Sequence, residues 1–260
     1  MSAYTFIVVN KIQEGVSLIT LNRPEKKNAL NIQLLKELKT ALNKLEEDKS
    51  QRVLILNGTG NLFCAGLDLQ EASNFEKAEE SAHHLTDALL AFYKTPLVTI
   101  VAIQGAAIAG GCGLMTACDI AIASAEAKFG YPEVRRGIVA ALVMTFLIRQ
   151  VGERITRELL FTADMIDANR ALQVGLINKV VEHSQLEQTT ISYAQQILLG
   201  GTNSIVTTKK FINKLSPTEL RDDVNKALSL HKVMRKSNEA SEGINAFLEK
   251  RKPSWGKRSS

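Results

Sequence analysis

Apolar positions in the first two thirds of the chain fall into short strand-like runs separated by helix-like stretches. Tyr4 to Asn10 and Val16 to Asn22 alternate or run apolar on either side of Glu14-Gly15, which predicts a hairpin. From Asn31 to Asp48 the residues Ile32, Leu34, Leu35, Leu38, Ala41, Leu42 and Leu45 recur at helical spacing, with Asn31 in the capping position. Arg52 to Asn57, closed by Gly58-Thr59-Gly60, then Leu97 to Ile103 and Ile120 to Ala123, read as buried strands. Strands separated by helices pair in parallel through right-handed crossovers, so the expected class is α/β.

After about Val151 helical spacing dominates. It covers Glu153 to Phe161, Ile166 to Val174, Leu186 to Leu198, Asn203 to Leu215, Thr218 to Arg235 and Glu239 to Lys250, while only Asn178 to Val181 resembles a strand. So few strands cannot extend the sheet, and this part is expected to pack as a cap or against another subunit. The nearest thing to a linker, Leu199-Gly200-Gly201-Thr202, divides a core over residues 1–198 from a helical region over 199–260.

Composition narrows the class. A chain of 260 residues, 45% of them hydrophobic, can bury a full core. Its longest apolar runs, Leu97 to Ile103 and Ile138 to Ile148, fall short of the roughly 20 residues of a membrane span. The first residues lack the pattern of a secretory signal, and Cys64, Cys112 and Cys118 can neither all pair nor match a histidine at metal-ligand spacing. A reduced, cytoplasmic protein without metal is expected. The net charge of +5 is spread over Lys26-Lys27, Arg135-Arg136, Lys209-Lys210 and the tail from Lys250 to Arg258, among acidic residues. Such doublets read as solvated surface, and they also suit a small ligand carrying phosphates. No aromatic interleaving supports nucleic-acid binding.

Candidate chemistry concentrates in two glycine-rich turns, Phe63-Cys64-Ala65-Gly66-Leu67-Asp68-Leu69 and Ala107-Ile108-Ala109-Gly110-Gly111-Cys112-Gly113. Each follows a strand-like run and precedes an apparent helix, where free backbone N–H groups point outward. Two such donors on one oxygen make an oxyanion hole. Asp68, followed three residues later by Glu71, reads as a capping box that orders the next helix. Glu133 is the nearby side chain suited to proton transfer, and Arg135 and Arg136 would lower its pKa if they came close. His83 and His84 lie in a polar helical stretch and read as surface.

These strings occur with Leu21-Asn22-Arg23-Pro24, Asn28-Ala29-Leu30, Gln104-Gly105, Cys118-Asp119-Ile120, Phe129-Gly130-Tyr131-Pro132-Glu133 and Phe247-Leu248-Glu249-Lys250-Arg251-Lys252-Pro253. In that order the series resembles the enoyl-CoA hydratase/isomerase, or crotonase, superfamily from about Ile19 to Trp255. The resemblance implies a crotonase-like core of repeated strand-strand-helix units. It also implies an acyl-CoA substrate with no prosthetic group, and a homotrimer or homohexamer whose contacts involve residues 199–260. It places the oxyanion donors at Leu67 and Gly110, with Gly111 allowing close backbone approach. The Ala65 carbonyl would meet the CoA adenine near Asp68, and Lys26 and Lys27 its phosphates. Phe247 and Lys250 would reach the CoA of a neighbouring subunit, and His231 stands where an aromatic residue is common near the adenine.

Two departures matter. Hydratases of the superfamily place a second glutamate where this chain has Gly113, so the reaction rests on Glu133 alone. That resembles the Δ3,Δ2-enoyl-CoA isomerases. Downstream, Gly137-Ile138-Val139-Ala140-Ala141-Leu142-Val143-Met144 replaces a glycine-rich loop, which implies an earlier helix and a more apolar pocket. Hydration and double-bond isomerisation are the leading activities. A decarboxylase of the same fold and a non-catalytic CoA-binding protein are the alternatives.

Overall fold

A computed structural model describes residues 4–215 and 219–256. The hairpin forms as expected: β1 (Ile7–Gln13) and β2 (Val16–Leu21) pair antiparallel across Gly15, whose φ of +77° suits a residue without Cβ. Helix α1 (Ile32–Glu47) starts at Asn31, whose side chain accepts the Leu34 N–H at 2.8 Å. Then follow β3 (Val53–Gly58), α2 (Phe75–Lys94), β4 (Val98–Ile103), β5 (Ala106–Ile108), α3 (Gly110–Ala117), β6 (Ile120–Ser124), β7 (Lys128–Gly130) and α4 (Ala141–Thr162). The remainder is β8 (Ile166–Asp167), α5 (Ala168–Gln173), β9 (Lys179–Val181), α6 (Leu186–Leu198), α7 (Thr202–Lys214), α8 (Leu220–Met234) and α9 (Asn238–Leu248).

The main sheet runs β1-β2-β3-β4-β6-β9, parallel from β2 onward, and a small second sheet runs β5-β7-β8. Strands β3 and β4 are apolar almost throughout because both faces are covered. Leu54, Leu56, Val101 and Ile103 face the core shared with α1 to α4, while Val53, Ile55, Ile100 and Ala102 face Leu186 and Ala194 of α6. The order β1-β2-α1, β4-β5-α3 and β6-β7-α4 repeats a strand-strand-helix unit, as expected.

The sequence pattern and the structure part in two places. The helical spacing from Ile166 resolves into the two-residue strand β8 and then α5, whose cap is Asp167. The helix expected from Thr218 is described from Leu220, Thr218 itself lying outside the described residues. Lys209, read as solvated, is buried: its ammonium donates to the Leu97 carbonyl at 2.8 Å and to Asp119 at 2.6 Å. Asp119 in turn accepts the Thr99 N–H and hydroxyl, so one carboxylate ties α7 to the start of β4. Beyond residue 199, Leu220, Val224 and Ala227 of α8 enter the main core, and α8 lies across α4 and α2.

Removing one partner of a buried pair strands the other charge. Because Asp119 remains partly exposed, Lys209→Met is expected to lower stability by about 2 to 3 kcal/mol, read by chemical denaturation. An unchanged midpoint would show that the pair contributes nothing.

Candidate active site

The first glycine turn is stitched to the segment before α1. Ala65 donates to the Lys27 carbonyl, Leu30 donates to Gly66, and Asp68 donates back to Leu30, at 2.8 to 3.0 Å. Asn28, fully buried, clamps the approach by donating to the Thr59 and Leu62 carbonyls. These bonds engage the amides of Ala65 and Asp68 and leave the Leu67 N–H between them without an acceptor among the described residues.

The second turn lies alongside. Cys64 donates to Ala106 and accepts from Ile108, a parallel bridge that sets Cys64 beside Ala107. Gly110 opens α3, so its N–H has no intrahelical partner. A Cβ on Gly110 would lie 3.5 Å from the Leu67 nitrogen, which places the two free amides at one spot. The residue before each donor has positive φ, +88° at Gly66 and +50° at Ala109. For alanine that is strained, costing about 1 to 3 kcal/mol. The strain turns the following peptide N–H into the cavity.

Glu133 sits in a short 3-10 turn, Pro132–Arg136, that faces these amides across a mostly aliphatic cavity. It is 9% exposed, and its Oε2 is buried with no hydrogen-bond partner among the described residues. Burial pushes its pKa up to about 7, against the opposing pull of its own backbone amide and of Arg136. The neighbouring arginines divide: Arg135 turns outward to Asp164 and the Thr162 carbonyl, while Arg136 lines the cavity. The apolar setting comes from Ile138, Val139 and Ala140, which lead into α4, from Leu142 and Val143 in its first turn, and from Leu85 of α2, while Val134 points outward.

Gly113 is closed off. A Cβ there would lie 2.7 Å from Val143 Cγ1 and 3.5 Å from Leu89 Cδ1, so aliphatic groups fill the space a second carboxylate would need. A base with a raised pKa beside two free amides can move protons on carbon next to a carbonyl whose oxygen becomes an anion.

With that geometry in place, the family model described as enoyl-CoA hydratase/isomerase matches residues 11–258. The chain belongs to the enoyl-CoA hydratase/isomerase family. It is 34% identical to a crotonyl-CoA hydratase of Syntrophomonas wolfei, covering 97% of this chain and 98% of that one. An enoyl-CoA hydratase from Mycobacterium avium superposes with a TM-score of 0.88 at 30% identity, covering 98% and 100% of the two chains. A methylmalonyl-CoA decarboxylase in complex with 2-nitronate-propionyl-CoA superposes with a TM-score of 0.84 at 29% identity, covering 97% and 98%.

Membership gives the remaining residues a frame, and the structure locates each. Leu67, Gly110 and Glu133 meet at the cavity, and Ala65 lines it. Lys26 and Lys27 are exposed on the turn that holds Ala65, with Lys26 reaching Gln70 at 3.2 Å. Only half of the capping box at Asp68 forms: its Oδ1 accepts the Gln70 N–H at 3.0 Å and the Glu71 N–H at 3.5 Å, while its own N–H goes to the Leu30 carbonyl and not to Glu71. Asp68 pairs with Arg23 at 2.7 Å, Glu71 accepts instead from the Ile32 N–H at 2.9 Å, and the next long helix starts at Phe75 with Asn74 as its cap. Burial would raise the Asp68 pKa, but the Arg23 hydrogen bond and charge hold it below the usual carboxylate range. Gly111 faces away from the cavity wall: a Cβ there would collide with the Cys64 carbonyl, so its role is to let α3 approach the first turn.

Phe247 lies under the Arg136 guanidinium of its own chain at 4.3 Å, and Lys250 turns the backbone after α9 at φ +54°. Helix α9 is welded to the Glu133 turn because Gly243 and Gly137 each leave no room for a Cβ against the facing backbone. His231 of α8 and Arg235, which follows its last turn, complete the wall. Burial, and secondarily Arg235, lowers the His231 pKa to about 4, so its ring is neutral at physiological pH. Arg235 and the α2 residues Ala78 and Leu85 were not singled out by the sequence, since helical spacing alone marks them as ordinary. His83 and His84 stand outside the cavity beside Glu79 and Glu80.

Two outcomes follow. Gly66→Ala adds a Cβ 2.8 Å from the Ile108 carbonyl and 3.1 Å from Gly110 N at a φ that alanine disfavours. A loss of at least about 1 kcal/mol in denaturation is expected, with a fall in turnover, whereas Ala109→Gly is expected to fold at least as stably. Second, folding raises the Glu133 pKa from 4.5 to about 7, so across that window the native state holds a proton that the unfolded chain has released. Its contribution makes stability fall as pH rises from 4.5 to 7, and Glu133→Gln is expected to flatten that slope in pH-dependent denaturation. An identical slope in the variant would place the buried proton elsewhere.

Proposed function

We propose that the chain isomerises 3-enoyl-CoA to 2-enoyl-CoA thioesters, with Glu133 as the single acid and base. The thioester oxygen sits between the Leu67 and Gly110 N–H groups. The Glu133 carboxylate removes a proton from the α-carbon, and the electron pair passes into an enolate whose oxygen those amides stabilise. Glu133 then returns the proton to the γ-carbon, the double bond moves into conjugation, and both the base and the amides are restored. A raised pKa suits a group that must take and give the same proton near neutrality.

The observation that carries this reading is the closed space at Gly113. Val143 and Leu89 occupy the position from which a second carboxylate would help orient an attacking water. The hydratases among the relatives argue for the family's thioester chemistry, and the missing carboxylate argues against water addition. A decarboxylation of a β-carboxyl acyl-CoA is the second reading. It is favoured by the likeness to methylmalonyl-CoA decarboxylase, because loss of carbon dioxide forms the same enolate. As expected of this family by resemblance, a homotrimer or homohexamer is part of the proposal, and the exposed Phe211 and Ile212 of α7, with Leu215 just after it, suit a subunit interface.

Incubation with 3-hexenoyl-CoA is expected to produce the conjugated enoyl-thioester absorbance, with much slower loss of that absorbance from crotonyl-CoA. Glu133→Gln is expected to lower the isomerisation rate by at least about 100-fold. Water addition to crotonyl-CoA without conversion of the 3-enoyl substrate would overturn the isomerase reading. An unaltered rate in Glu133→Gln would remove Glu133 as the base, and thioester binding without conversion in either form would indicate a binding protein.

A further inference from the structure

One charge in the cavity wall makes no ion pair among the described residues. The titratable side chains lining the cavity are Glu133, Arg136, His231 and Arg235. His231 is neutral, and Glu133 is half protonated near pH 7. Arg136 is the unpaired one. It is half-buried and, among the described residues, makes no salt bridge and no side-chain hydrogen bond; the Phe247 ring lies 4.3 Å from it and Glu133 acts on it only through space. Burial disfavours its charged form, lowering its pKa, yet an arginine remains charged at neutral pH.

Its placement is fixed from two sides. Phe247 supports the flat face of the guanidinium, and the tight packing of Gly243 against the Arg136 carbonyl holds the backbone. The edge of the fork, with its N–H donors, is left for a ligand. A planar carboxylate matches that fork with two parallel hydrogen bonds. Arg136 ends the short turn that carries Glu133 and shares one cavity with both free amides. The exposed Lys26 and Lys27, by contrast, do not line this cavity.

We infer that Arg136 is a specificity-determining residue that selects acyl-CoA thioesters whose acyl chain carries a second carboxylate. The inference rests on the acyl-CoA reading of the cavity and does not depend on which reaction follows. It narrows the substrate class to dicarboxylic acyl-CoA, where an otherwise apolar pocket would suggest a plain hydrocarbon chain.

Equilibrium binding of unreactive pairs tests it: succinyl-, glutaryl- and adipoyl-CoA against butyryl-, pentanoyl- and hexanoyl-CoA. At least one dicarboxylic member is expected to bind about tenfold or more tighter than its monocarboxylic partner. Arg136→Met is expected to bring that ratio close to one, and Arg136→Lys to retain part of it, since a lysine keeps the charge and loses the fork. Comparing a ratio within one variant removes any general loss of folding or of CoA binding. A ratio near one in the unaltered protein overturns the inference, and so does a high ratio that survives Arg136→Met. Equal weakening of both members, absent with 3′-dephospho-CoA thioesters, would assign Arg136 to the nucleotide phosphate and overturn it as well. Failure of isomerisation with the dicarboxylic preference intact would remove the proposed reaction and leave this inference standing.

Discussion

The structure turns on the parallel bridge between Cys64 and Ala107. Two turns, far apart in the chain, are hydrogen-bonded to one another there, and each has a free amide just beyond the bonded stretch. Backbone N–H groups are seldom left unsatisfied in a protein interior, so keeping two free at one point requires everything around them to be fixed. Asn28, Leu30 and Gln104 supply that restraint on one side, and the packing of Gly111 against the Cys64 carbonyl supplies it on the other. The positive φ at Gly66 and Ala109 is the local cost, and a rigid frame is what allows an alanine to bear it.

The acid group depends on a second restraint of the same kind. Glu133 lies in a turn too short to hold itself, and α9 fixes it through two glycines that admit backbone against backbone. The C-terminal helices thus do more than cover the core. Helix α8 brings His231 and Arg235 to the wall and α9 places Phe247 under Arg136, so the electrostatics of a site built by the first half of the chain are set by the last forty or so residues.

Much of this was legible in the sequence because it is periodic or punctuated. Asn31 announced α1, the apolar runs of β3 and β4 announced a sheet covered on both faces, and the glycine turns announced free amides. What was not legible depends on distance in space. Asp68 and Glu71 have the spacing of a capping box, and Asp68 does cap the Gln70 and Glu71 amides, yet the Ile32 amide takes Glu71 and Arg23 takes the second Asp68 oxygen, both from forty or so residues away. Lys209 looks like any surface lysine until Asp119 is brought against it. Arg135 and Arg136 are equivalent in sequence, and only the fold sends one to Asp164 and the other into the cavity.

The single carboxylate follows from packing as much as from residue identity. Gly113 could be seen as a missing glutamate from the sequence, but the sequence did not show that its place had been taken. Val143 closes the gap to 2.7 Å from where a Cβ would stand, so restoring an acid at position 113 would drive a charged side chain into an aliphatic wall. Burying that charge would cost far more than the packing it displaced. A change at Gly113 therefore requires a matching change at Val143, and the apolar segment from Ile138 to Val143 and the lost carboxylate are two sides of one adjustment. The same wall keeps water from Glu133 and raises its pKa, which couples the shape of the pocket to the proton it can hold.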